Sequence, residues 1–285
     1  MASEAAGTSP DFDVRNVVTG AGLLAATANV IMQLSRPEVG HGVLESTVES
    51  AQLMRHPVRR MLTTVTYLSV ALMGTPAERA AYRRKVDRSH ARVRSTPDSP
   101  VSYSAFDPQL QLWVAACLYQ GGNDVLTALR GRADDQTADD MYQVARWFGA
   151  TLQMPAEAWP ADRDAFGQYW RAALASVRID PPVRAYLDEL VRLRYLPAPL
   201  STVLAPVNQF VTTGFLPPPF RDQMRLPWTD RDQRQFEALL RVVAQVDRLL
   251  PAPARRFPFN ACLVSWRCRR RLFEILNVSP RRQAG

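Results

Sequence analysis

The sequence predicts an all-α protein, a single globular domain of many helices. Helix-start and helix-stop signals divide most of the chain into segments of helical length, and no alternating apolar–polar pattern runs beyond four residues. No internal repeat and no glycine-rich phosphate loop breaks this style. With 47% hydrophobic residues among 285, the chain can bury a large core.

Taken in order, residues 1–15 read as a disordered lead-in without the basic and apolar regions of a secretory signal. Residues 20–35 are almost wholly apolar, which predicts a helix buried on every side. Pro37, Gly40 and Gly42 then predict an ordered turn over 36–47, with a short helix over 47–54. A strong helix follows over 58–73, stopped by Gly74. Thr75-Pro76-Ala77-Glu78 is a capping box with proline at the first helical position, and it opens a helix to about Arg94. A Ser- and Pro-rich loop over 95–104 leads to Asp107-Pro108, which starts a helix through Leu118 that Gly121-Gly122 ends. Further helices are predicted over 123–130, 137–148, 162–175, 180–193, 230–249 and 258–276. The proline-rich stretch 195–228 reads as irregular but packed, because Val203, Leu204, Val207, Phe210 and Phe215 lie within it. The domain therefore spans 16–278, with a flexible tail over 279–285.

Composition excludes several classes of function. Cys117, Cys262 and Cys268 form no CxxC or CxxH pair, so neither a disulfide framework nor a zinc site is indicated, and a reducing cytoplasm fits. The net charge of +8 is carried by arginines spread among acids, apart from the C-terminal run Arg267, Arg269, Arg270 and Arg271, with Lys85 the only lysine. No nucleic-acid motif accompanies them, so nucleic acid is not an expected partner, while peripheral membrane contact stays open. No stretch reaches the roughly 18–20 apolar residues of a membrane span. No GxSxG or HExxH motif is present.

Three histidines remain to be weighed. His56 precedes Pro57 in a basic turn and reads as a surface residue. His41 lies between two glycines and reads as part of a turn. His90 shares a helical face with Tyr82, Val86 and Val93, while arginines fill the other faces. An imidazole on an apolar stripe is desolvated and favours its neutral form, the form that ligates iron or zinc. From spacing alone, a hydrogen-bonded core histidine is the commoner outcome and a metal ligand the sharper one. Arg60, Thr64 and Tyr67 share one face of the preceding helix. A guanidinium in an apolar wall needs a partner, whether Glu45, Glu49, a cofactor propionate or bound dioxygen.

Several segments occur together in a fixed order: Gln33-Leu34, Pro37-Glu38-Val39, Gly42-Val43; Arg60, Thr64, Tyr67 and Gly74; His90 and Val93; and Tyr103-Ser104-Ala105-Phe106-Asp107-Pro108 before Leu112-Trp113-Val114. Over about residues 20–120 this order resembles the MpaB-type oxygenase family, which includes the latex-clearing rubber oxygenases. The resemblance implies an all-α fold with a buried pocket for haem b between central helices. It implies His90 as the proximal iron ligand, with Arg60, Thr64 and Tyr67 against the cofactor. It also implies catalytic roles for Arg60, Thr64 and Glu45, the last being the nearest match to a distal glutamate. The implied function is a haem-dependent oxygenase using dioxygen on a hydrophobic small molecule, the alternative being a non-catalytic haem- or lipid-binding protein. The rubber-cleaving branch carries a distal lysine where Thr63 stands here, so polyisoprene cleavage is not implied.

Overall fold

A computed structural model describes residues 8–48 and 52–278. The expected tail 279–285, most of the expected lead-in and the middle of the expected 47–54 helix lie outside the described residues; residues 52–55 are not helical. Among the described residues the elements are helices, joined by one isolated β-bridge between Arg94 and Ser104. None of these helices is long and apolar enough to cross a membrane.

After short 3₁₀ turns at Val14–Asn16 and Gly20–Ala25 come α1 (Ala26–Leu34) and α2 (Pro37–Leu44). The predicted helix over 20–35 is thus split, and it is not buried all round, since Leu24 and Ala26 are exposed. The predicted turn over 36–47 is instead α2. Pro37 sits at its first position, where a missing N–H costs nothing. Gly40 lies where α2 meets a later helix: a Cβ there would stand 2.8 Å from a Val183 methyl and 2.9 Å from the Leu34 carbonyl oxygen.

Helix α3 (Pro57–Met73) runs as predicted, and α4 (Pro76–His90) starts with both halves of the Thr75/Glu78 capping box formed. It ends at His90, four residues short of the prediction. The chain leaves it into an extended pairing in which Ala105 N–H donates to the Val93 carbonyl and Ser95 N–H to that of Tyr103. Helix α5 (Pro108–Arg130) continues through the two glycines expected to stop it. Gly121 permits a close crossing with α1, because a Cβ there would lie 2.3 Å from the Asn29 amide nitrogen, which donates to the Cys117 carbonyl.

Helices α6 (Asp135–Ala150), α7 (Arg163–Leu174) and α8 (Pro181–Val191) follow, close to prediction. The proline-rich stretch is not irregular. It forms α9 (Ala198–Phe215) and α10 (Pro218–Met224), whose prolines, apart from Pro206, cap the helices or occupy their first turns. Then come α11 (Asp230–Leu249), the single turn α12 (Ala252–Arg255) and α13 (Phe259–Val278).

Helix α5 is the axis of the core. Trp113 on it is buried, stacks on Trp170 of α7 at 5.5 Å between ring centroids, and donates its indole N–H to the Gln33 carbonyl. Ile31, Tyr142, Phe166, Val183, Leu187 and Phe220 close around the same centre. A second cluster joins Tyr67 and Val70 of α3 to Tyr82 of α4 and Leu263 of α13. This cluster sets α3 and α4 side by side, and these two helices carry most of the sequence-predicted site.

Candidate functional site

His90 ends α4 in a half-buried position, with the edge of Phe106 toward its ring at 6.2 Å between centroids. Its Nδ1 lies 3.1 Å from Oε1 of Gln153, in the turn after α6. The same oxygen accepts from Nε2 of Gln111 at 3.2 Å, and that nitrogen also donates to the Ala105 carbonyl at 2.8 Å. Burial pulls the imidazole pKa below its ordinary value. The Gln153 bond and the charge of Asp87 oppose this, and the charge of Arg60 adds to it. The ring is therefore neutral near neutral pH. Its Nε2 has no hydrogen-bond partner among the described residues.

Arg60 lies in the first turn of α3, half-buried. No hydrogen bond or ion pair among the described residues engages its guanidinium. Burial lowers its pKa, while Tyr186 of α8 and Tyr82 of α4 are near enough to raise it. The guanidinium is desolvated, although the residue as a whole is partly accessible. Arg60 thus stands electrostatically close to His90, and the two side chains come from adjacent helices. Thr64, one turn further along α3, is half-buried, and its hydroxyl has no partner among the described residues.

The remaining predicted residues are engaged by partners of their own. Tyr67 is buried, but its hydroxyl donates to the Phe148 carbonyl at 2.6 Å, and burial raises its pKa well above the usual value. Glu45, expected as a partner for Arg60, is exposed at the end of α2. Its carboxylate accepts from Ser99 and from the Tyr103 hydroxyl at 2.8 Å, and lies 3.7 Å from Nδ1 of His41. The other suggested partner, Glu49, lies outside the described residues. His41 is not in a turn: it is buried within α2, with Nε2 3.1 Å from Asp180. His56 is exposed, as expected, at the start of α3.

Sequence reasoning missed Gln153 and Gln111. Gln111 gave a faint signal, a polar residue beside the apolar Leu112 and Trp113 just after the Asp107-Pro108 helix start. Gln153 gave none, because its place depends on where α6 ends. Its backbone is left-handed, with φ 73°, a conformation that non-glycine residues seldom adopt.

The family model described as ER-bound oxygenase mpaB/B'/rubber oxygenase, catalytic domain, matches residues 15–245. The chain is 50% identical over 249 residues to an uncharacterized protein of Mycobacterium tuberculosis and, to the same extent, to one of Mycobacterium bovis. Each alignment covers 87% of this chain and 98% of the relative. No solved structure gives a significant match.

Proposed function

The chain belongs to the MpaB/rubber oxygenase catalytic-domain family, and on that premise we propose that it is a haem b-dependent oxygenase of a hydrophobic small molecule. The observation that carries the proposal is the state of His90: a neutral imidazole whose Nδ1 is engaged by Gln153 and whose Nε2 lone pair is free of any partner among the described residues. Iron-ligating histidines have this arrangement, one ring nitrogen bonded to an acceptor behind and the other facing the metal.

The residues present fit a haem. Among the described residues no three His, Cys, Asp or Glu side chains gather, so the donor on offer is a single imidazole, which would suffice for an iron already held by a porphyrin. Arg60 supplies a desolvated guanidinium with no carboxylate partner among the described residues, the counter-charge that a propionate needs. Haem b, when bound, supplies dioxygen activation; the rest falls to the chain. His90 would hold the cofactor, Arg60 would pair with a propionate or steady negative charge, and the Thr64 hydroxyl, without a partner among the described residues, would be available to donate a hydrogen bond. Val58, Met61 and Leu62, exposed apolar side chains on the first turns of α3, are the surface on offer to a hydrophobic substrate. For Glu45 the proposed role as a base rests on the resemblance. Its bonds to Ser99 and Tyr103 hold the carboxylate in place, and none of its contacts is with Arg60, Thr64 or His90.

The test is optical. Purified protein, or protein titrated with hemin, is expected to show a Soret band that His90→Ala abolishes. An unchanged band in that variant removes His90 as the ligand. Dioxygen consumption with a reductant across unsaturated lipids and terpenoids then separates an oxygenase from a haem carrier. Haem retention with silence across the whole panel favours the carrier.

A further inference from the structure

The hydrogen bonds behind His90 determine which of its nitrogens bears the proton. The Ala105 carbonyl can only accept, so the Gln111 amide must turn its NH₂ toward it, at 2.8 Å. The second hydrogen of that NH₂ then faces the amide of Gln153 at 3.2 Å, which must present its oxygen there. That oxygen is also 3.1 Å from His90 Nδ1. Two acceptors cannot face each other at this distance, so Nδ1 carries the hydrogen and Nε2 the lone pair.

This arrangement does not maximise the amides' own hydrogen bonds. Gln111 Oε1 and Gln153 Nε2 are both buried without a partner among the described residues. Gln153 also holds a left-handed backbone at φ 73°. Unpaired buried polar atoms and left-handed non-glycine residues are both unfavourable, and they persist where the surroundings over-determine them, commonly at functional sites. The left-handed turn, closed by the Met154 N–H to the Gly149 carbonyl at the end of α6, is what carries the Gln153 amide to His90.

We propose that Gln153, oriented by Gln111 and the Ala105 carbonyl, is a positioning residue that fixes the Nδ1–H tautomer of His90 and so presents Nε2 to a metal. The inference rests on the haem reading for its purpose, though not for its geometry. Gln153 does not touch the cofactor; it acts through the imidazole, by orienting the ring and raising its donor strength.

The closing experiment separates the two readings. Nitrogen NMR of the histidine rings in the haem-free full chain is expected to show His90 with a protonated Nδ1 and a bare Nε2. A dominant Nε2–H form overturns the inference, whatever hemin does. Gln153→Leu and, independently, Gln111→Leu should release a mixture of tautomers; a tautomer unchanged in both also overturns it. With hemin bound, Gln153→Leu should weaken binding by about 10–100-fold and lower the iron–histidine stretching frequency of the ferrous protein. Gln153→Glu, which keeps an acceptor toward Nδ1, should restore the tautomer and raise that frequency. If the haem-free ring has the expected tautomer but hemin gives no His90-dependent band, the relay stands and the haem reading falls.

Discussion

At the scale of single residues, the site sets stability against function. Arg60 is desolvated and has no counter-charge among the described residues. Removing such a charge from the haem-free chain should raise stability by about 1–2 kcal/mol, while weakening haem retention. Thermal unfolding of haem-free Arg60→Leu should therefore shift upward as its Soret band is lost; a lowered midpoint would show that Arg60 has a structural partner. Tyr67 behaves in the opposite way. Tyr67→Phe leaves the buried Phe148 carbonyl without its donor and should cost about 1–2 kcal/mol in denaturant unfolding, with the haem spectrum little changed. Helical spacing gave the faces of His90 and Arg60 separately, and only the family resemblance joined them as a candidate site. The displacement of Glu45 was not legible, because which side chain reaches a carboxylate across 58 positions, as Tyr103 does, leaves no mark on local periodicity.

At the scale of elements, helices with clear caps were legible, α3 and α4 above all, since a capping box and an N-terminal proline act within one turn. Glycines and prolines misled for one reason: each has a local and a tertiary meaning. Gly40 and Gly121 are close-approach points between helices rather than stops, and the prolines of α9 and α10 start helices rather than prevent them. Two substitutions separate these meanings. Gly40→Ala drives a methyl into the Leu34 carbonyl and Val183, and should cost about 1–3 kcal/mol. Gly122→Ala, one residue beyond Gly121 and with nothing within 4 Å of the added Cβ, should gain about 0.5–1 kcal/mol. Chemical denaturation of the two variants checks both, and equal effects would refute the packing account.

At the scale of the whole molecule, α13 lies beyond the family-matched residues 15–245 yet packs on α3 and α4. Trp266 meets the ring of Tyr82 edge-on at 5.1 Å, and Arg267 grips Glu78 with bonds of 2.7 and 3.0 Å. Arg267→Ala should cost about 1 kcal/mol. The grip also writes a pH dependence. The Arg267 hydrogen bond, aided by the Thr75 backbone, lowers the Glu78 pKa from 4.5 to about 2. Its contribution is thus complete above pH 4.5 and lost as pH falls toward 2. Asp124 on α5 has the reverse sign: burial raises its pKa from 3.8 to about 6, so stability falls as pH rises through that window. Asp124→Asn should therefore stabilise the chain above pH 6 by about 2 kcal/mol, and denaturation across pH 3 to 8 should show the difference vanish below pH 4.

The same grip orders events during synthesis. Glu78 and Arg267 are 189 positions apart, so the N-terminal cap of α4 leaves the ribosome long before the arginine that will clasp it exists. Until then the sides of Tyr82 and α3 that face α13 lack the cover of Leu263 and Trp266. A cofactor docking on His90 during translation would find a wall still loose on that side, whereas one arriving after release would meet a braced α3–α4 pair. On the proposed haem reading, loading is therefore expected after release from the ribosome, once α13 has closed on α3 and α4.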